Sequence, residues 1–298
     1  MRHLAVAAVA LAACQRGPST GGGGHGHARV GDRDRSYALH VPAQRPAHPA
    51  LVIVLHGSTQ DGDAVRATFG NELDALADAN GFVVMYPDGY RGNWDDCRKA
   101  ATYPARTEHV DDVAFVDALI DRAAADYGVD RARVFAVGYS NGAQMAFRLG
   151  LEQPDRFAAI AAVSAGLPTD DNNDCTIAGR PVAAMLFDGT DDPLNPFDGG
   201  DVHDRGTVRS VQDTAHYFAG SGAAPAHVER LAHRDASDPT SVERSEWSTP
   251  GRPAVVLYAI HGGGHVVPQL VTPQRAALGH VTHDVDAPAE IWRFFASR

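Results

Sequence analysis

Two unbroken apolar runs, Leu51-Val52-Ile53-Val54-Leu55 and Phe82-Val83-Val84-Met85-Tyr86, set the frame of this chain. Short apolar runs bounded by turn residues suit strands buried on both faces, as in a parallel sheet. Pro87-Asp88-Gly89 closes the second run. Residues 133–137, 157–163, 181–187, 242–247 and 254–260 predict further strands. Residues 36–41 alternate in polarity and predict a strand at the sheet edge. Helical signals lie between the strands. Leu73, Leu76 and Ala77 predict a short helix that Asn80-Gly81 ends. Val113, Val116, Ile120, Ala123 and Tyr127 recur at helical spacing, with Asp111 or Asp112 as cap and Gly128 as stop. Residues 143–149 predict a helix stopped by Pro154. Val208, Val211, Ala215 and Phe218 mark another helix. Residues 287–297 predict a closing helix with Ile291, Phe294 and Phe295 facing inward. Strands alternating with helices predict a mainly parallel sheet covered on both faces. No insertion reads as a lid domain.

The first residues follow a different pattern. Met1-Arg2-His3 is basic, and residues 4–13 are short and apolar, as in a signal peptide. The stretch ends in Leu11-Ala12-Ala13-Cys14, which resembles a bacterial lipobox, with Cys14 as the lipidation site. Gln15, rather than Asp, after the cysteine points to the outer membrane. A plain signal peptide with an incidental Cys14 is the alternative. Residues 14–28, with Gly21-Gly22-Gly23-Gly24, read as a flexible tether. His25-Gly26-His27 within it makes a poor metal site. The expected organisation is a signal peptide over 1–13, a tether over 14–28 and one catalytic domain over 29–298. The protein is then exported, either anchored at the outer membrane or extracellular.

Composition narrows the partners. The formal net charge of −11 argues against nucleic acid and against an anionic membrane surface. Contact with a membrane is expected only through the N-terminal lipid. Export also bears on the cysteines. Without Cys14 an even pair remains, Cys97 and Cys175, which in an oxidising compartment favours a disulfide over two buried thiols.

Candidate chemistry centres on Gly138-Tyr139-Ser140-Asn141-Gly142, a match to the Gly-x-Ser-x-Gly turn between a strand and a helix. A serine hydroxyl is a weak nucleophile. It needs a base, and the base needs an orienting acid. In the α/β-hydrolase fold these follow in the order Ser, Asp, His, on loops after strands. Asp188-Gly189-Thr190-Asp191-Asp192 and His261-Gly262-Gly263-Gly264-His265 both lie where that order requires.

Together with Leu55-His56-Gly57-Ser58, these motifs resemble exported esterases of the polyhydroxybutyrate depolymerase and feruloyl esterase group, the carbohydrate esterases of family one. The resemblance spans residues 35–295. It implies Ser140 as nucleophile, Asp192 as acid in preference to Asp191 or Asp188, and His265 as base in preference to His261. At Asp188 the family often carries His, a departure that bears on the local site. The oxyanion hole needs two backbone N–H groups, expected from Asn141 and Ser58. His56 reads as a loop support. Trp94 and Tyr90, on the loop after a central strand, are candidates for an aromatic substrate wall, although Trp94 reads equally well as a loop anchor. No metal or organic cofactor is implied.

The function expected is an exported serine esterase acting on short-acyl or aryl esters of polymers: feruloyl or acetyl esters of polysaccharides, or hydroxybutyrate esters. A serine peptidase of the same fold, or a catalytically dead carbohydrate-binding surface protein, is the alternative. Replacing Cys14 by Ser is expected to release the protein from the membrane fraction or block its maturation, as read by fractionation. Full membrane retention of that variant contradicts lipid anchoring.

Overall fold

The computed structural model describes residues 22–180, 182–220, 223–248, 251–270 and 276–298. Along them run β1 (Gly22–Val30), β2 (Arg33–Val41), β3 (Leu51–Leu55), α1 (Gly62–Thr68), α2 (Glu72–Asn80), β4 (Val83–Pro87), α3 (Pro104–Thr107), α4 (Asp112–Tyr127), β5 (Val134–Tyr139) and α5 (Asn141–Glu152). There follow β6 (Ala159–Val163), β7 (Ala183–Gly189), β8 (Gly200–Asp201), β9 (Thr207–Val208), α6 (Val211–Ala219), β10 (His227–Arg230), β11 (Ser241–Trp247), β12 (Val255–His261) and α7 (Ala287–Ala296).

Ten strands make one sheet in the order β1-β2-β4-β3-β5-β6-β7-β12-β11-β10. The strands from β4 to β12 in that order run parallel. The outer pairs are antiparallel. β3 shows why the run had to be apolar throughout. Leu51, Ile53 and Leu55 pack on one face of the sheet with Phe115 and Leu119 of α4, Met145 of α5 and Phe218 of α6. Val52 and Val54 pack on the other face with Val65 of α1, Leu73 of α2 and Phe295 of α7. Alternate side chains of one strand thus serve two cores. Fully burying each such side chain is worth about 1.5–3 kcal/mol. This is the α/β-hydrolase architecture, and no insertion among the described residues forms a lid domain. No helix among the described residues is long and apolar enough to cross a membrane.

The helix signals map onto local chemistry. Asp111, not Asp112, caps α4, its side chain accepting from the Ala114 N–H, and Gly128 ends it with φ 71°. Asp112 instead faces inward, where Arg35 donates to its Oδ1 at 2.7 Å. Gly81 ends α2 in the same left-handed way, with φ 76°.

Three expectations need correction. Residues 22–28, read as the end of a tether, lie inside β1, paired in antiparallel register with β2. Glycine there leaves room for a neighbour: a side chain at Gly26 would meet the Tyr37 hydroxyl at 2.4 Å, because the tyrosine ring covers that position. Sheet pairing and that cover replace the missing side chains. Consequently β2, read as the edge, is second in the sheet. Val208 belongs not to a helix but to β9, which pairs with β8 in a small separate ladder. The signal segment, Cys14 and residues 15–21 lie outside the described residues.

Cys97 and Cys175 form a disulfide with Cα atoms 5.0 Å apart across 78 residues of chain. It ties the loop after β4 to the loop after β6. Replacing both cysteines by Ser is expected to cost about 4 kcal/mol of unfolding free energy, from the loop-closure entropy of a ring this size. Chemical unfolding of the oxidised wild type and the double variant measures the difference. Equal midpoints and slopes would show that the bridge adds no stability.

Candidate active site

β5 delivers Ser140 into a tight turn. Ser140 adopts φ 56° and ψ −116°, a region that side chains rarely occupy. Such a conformation costs about 1–3 kcal/mol and persists only where the surroundings enforce it. The two flanking glycines make it possible. A Cβ on Gly138 would lie 2.0 Å from the Gly142 carbonyl oxygen, and one on Gly142 would lie 2.1 Å from that of Leu55. The turn therefore presses directly against the end of β3. Ser140 N–H donates to Val163 O of β6, and Ser140 O accepts from the N–H groups of Ala143 and Gln144 as α5 begins.

Two loops bring partners to the hydroxyl. His265 follows β12, held by its N–H to Leu278 O at 2.7 Å and by the Tyr139 hydroxyl on its carbonyl at 2.8 Å. Its Nε2 lies 2.9 Å from Ser140 Oγ, and its Nδ1 lies 2.7 Å from Asp192 Oδ2. The other Asp192 oxygen accepts the N–H groups of Leu194 at 2.7 Å and Asn195 at 2.8 Å. Both side chains are buried, Asp192 to 1% exposure and His265 to 5%. So enclosed, Asp192 fixes the orientation of the imidazole through its Nδ1.

The rival residues take other roles. Asp191 Oδ1 accepts from its neighbour Thr190 at 2.9 Å, and the side chain faces outward. Asp188 is enclosed within the end of β7, its Oδ1 accepting from Ala165 N–H at 2.8 Å. Burial first, and then the charge of Asp192, pushes its carboxyl well above the usual carboxylate range. The neutral form so favoured is a poor counter-charge for an imidazolium. His261 ends β12, opposite Ser241 of β11. His56 is buried and sits 2.7 Å from Gly57 O through Nδ1, while its Nε2 accepts Gly89 N–H at 2.7 Å. Burial pushes its pKa down. A neutral imidazole bonded on both nitrogens supports the loop and takes no proton.

The N–H groups of Ser58 and Asn141 have no acceptor among the described residues. Asn141 opens α5, where the first N–H groups lack an intrahelical partner and the helix dipole favours negative charge. Trp94 does not form a substrate wall. It is fully buried, and its Nε1–H donates to His56 O at 2.9 Å. Tyr90 is engaged elsewhere: its hydroxyl donates to Glu108 at 2.9 Å, and Arg33 and Arg91 sit 4.3 and 5.1 Å from its ring centre. Residues that the sequence pattern did not flag are the buried Asp96 and Arg98 and the half-buried Tyr103, clustered against the Asn141 side chain. The available signal was an Asp and an Arg on either side of Cys97.

With this geometry, the comparisons define the class. Residues 35–185 match the family described as Esterase PHB depolymerase, and the chain belongs to it. The esterase NocK of Nocardia uniformis subsp. tsuyamanensis is 32% identical over 266 residues, covering 84% of this chain and 75% of that one. Feruloyl esterase C of Emericella nidulans is 27% identical over 271 residues, covering 88% of this chain and 83% of its own. An acetyl xylan esterase from Aspergillus awamori superposes with a TM-score of 0.62 at 18% identity, over 92% of this chain and all (100%) of that one; it shares the fold. The protein is a carboxylic-ester hydrolase.

Asp192→Asn should lower kcat by about three to four orders of magnitude, because the amide favours the wrong imidazole tautomer. Asp191→Asn should leave kcat within about threefold, as for a surface change. Steady-state hydrolysis of p-nitrophenyl acetate compares them, and the reverse order would transfer the acid role to Asp191.

Proposed function

We propose that this protein is an exported serine esterase that cleaves short-acyl or aryl esters carried by polymers. The observation that carries the reading is the unbroken chain from Ser140 Oγ through His265 to Asp192, at 2.9 and 2.7 Å. Ser140 Oγ attacks the ester carbonyl while His265 Nε2 takes its proton. Asp192 holds the Nδ1–H and balances the imidazolium charge. The N–H groups of Ser58 and Asn141 stabilise the oxyanion of the tetrahedral intermediate. His265 returns the proton to the leaving alkoxide. Water then attacks the acyl-enzyme by the same proton route in reverse.

Several features support the polymer-ester reading. Relatives and structural neighbours bear the names feruloyl esterase, depolymerase of poly(3-hydroxyalkanoate) and acetyl xylan esterase. The described residues form no lid domain, and Ser140 is half-buried rather than enclosed. An open cleft suits a short acyl group on a bulky polymer better than a long acyl chain, which needs an apolar tunnel. The Cys97–Cys175 bond supports export into an oxidising compartment. Lipidation at Cys14 would then keep the enzyme at the cell surface, near insoluble esters.

The test is kcat/KM across p-nitrophenyl esters from acetate to palmitate, with methyl ferulate, acetylated xylan and hydroxybutyrate oligomers alongside. Short and aryl esters should be cleaved about tenfold faster or more than palmitate. Ser140→Ala should lower turnover by about four to six orders of magnitude with the fold intact. A maximum at the long-chain end would make the protein a lipase. Turnover surviving Ser140→Ala would remove the serine from the chemistry.

A further inference from the structure

We propose that Asp96 is a positioning residue for the oxyanion hole: its buried carboxylate holds the Asn141 side chain, and thereby aims the Asn141 N–H. The inference rests on the serine-esterase reading above, because it assigns a purpose to a group that the proton route does not use.

Asp96 is fully buried, yet it is among the most heavily bonded carboxylates of the molecule. Its Oδ1 accepts the Arg98 backbone N–H at 2.8 Å and the Arg98 Nε–H at 3.1 Å. Its Oδ2 accepts an Arg98 terminal N–H at 2.7 Å, the Asn141 amide at 2.7 Å, and the Tyr103 hydroxyl. Five donors converging on one buried carboxylate hold it immobile. The Asn141 side chain is held at both ends. Its Nδ2 donates to Asp96, and its Oδ1 accepts the Trp94 backbone N–H at 2.9 Å. Rotation of the amide would face donor to donor at Trp94 and acceptor to acceptor at Asp96, so one orientation is enforced.

The same segment reaches the other half of the hole. The Trp94 indole N–H donates to His56 O, two residues before Ser58. Residues 94–98 therefore touch both the loop after β3 and the start of α5, the two segments assigned the oxyanion donors. Cys97 lies between Asp96 and Arg98, so the disulfide fixes the backbone that carries the ion pair.

Charge explains why the carboxylate needs Arg98. A bare anion beside the oxyanion site would oppose the charge that develops in the transition state. Arg98 is itself only 3% exposed and cancels that charge where it arises. The pair then acts as a neutral, rigid acceptor. A helix-capping role would demand only a bond to a backbone N–H of α5, whereas Asp96 bonds the side chain of one of the two residues whose N–H groups the mechanism above assigns to the oxyanion hole.

The variants are Asp96→Asn and Asn141→Ala, singly and together, with the full chain and its disulfide intact. An Asn at 96 keeps the shape but turns one acceptor oxygen into an N–H donor and removes the charge, so it cannot satisfy Arg98 and Asn141 together. Asn141→Ala removes the side chain and keeps the backbone N–H. Each single variant is expected to lower kcat for p-nitrophenyl acetate about 10- to 100-fold, the penalty of a slightly misplaced catalytic group. KM should change less than about threefold, since the ground-state carbonyl makes weaker use of the hole. In the Asn141→Ala background, Asp96→Asn should add nothing. A phenylboronic acid, which mimics the tetrahedral intermediate, should lose affinity in proportion to kcat.

Equal kcat for wild type and Asn141→Ala overturns the proposal, and that arm stands even if Asp96→Asn does not fold. Additive losses in the double variant also overturn it, leaving Asp96 as a stabiliser of the fold. Ser140→Ala measured beside them keeps the two readings apart. Its full activity would refute the serine mechanism, whereas an inactive Ser140→Ala with fully active Asn141→Ala refutes only the brace.

Discussion

The contact between the elbow and the end of β3 constrains everything around Ser140. Gly142 packs so closely on Leu55 that a Cβ would meet its carbonyl oxygen at 2.1 Å. That approach forces Ser140 into its left-handed conformation and lifts the hydroxyl clear of the sheet. It also sets Asn141, the first residue of α5, beside the loop that follows β3. Serine, helix N-terminus and the His56–Ser58 loop thus converge because two strands and one helix cannot be packed closer. A single methyl at 138 or 142 would have to displace backbone, which interiors packed at crystal-like density resist.

Around that rigid centre the remaining groups come from loops, each tied down separately. The histidine loop is hydrogen-bonded to the chain around Leu278 and His280. The aspartate loop is closed by Asp192 accepting two backbone N–H groups. The loop after β4 is held by Trp94, by the Asp96–Arg98 pair and by the disulfide. Loops stay at the surface and accept change, while the sheet beneath supplies precision. This division accounts for a departure such as Asp188. It sits inside β7, under the aspartate loop, where burial pushes its carboxyl well above the usual range, while Asp192 lies against His265 Nδ1.

Much of the fold could be read directly from the chain. The central strands are continuous apolar runs because both faces are covered, and no polar residue interrupts them to blur the signal. Helices α2 and α4 ended where glycine offered the left-handed stop. The elbow glycines, Ser140, and the loops bearing Asp192 and His265 stood out for the same reason: tight turns after buried strands restrict which residues fit. The glycine-rich segment misled because a glycine carries no side-chain pattern. Its pairing as β1 depends on a tyrosine eleven positions away in the register with Gly26, a contact that no local window contains.

Sequence alone determined the alternation of the central strands with their main helices, the tight turn at Ser140 and the three residue types the chemistry needs. Those are local properties, written in apolar period, turn glycines and residue identity. The family resemblance favoured Asp192, but its contact with His265 is tertiary: Asp188 lies at the end of β7 inside the fold, whereas Asp191 and Asp192 share the loop after it and differ in direction. Tertiary structure also decided that Trp94 braces rather than lines the site, and that Asp96 and Arg98 meet Asn141. Burial and hydrogen-bond direction depend on what arrives from distant parts of the chain, and no residue carries that information by itself.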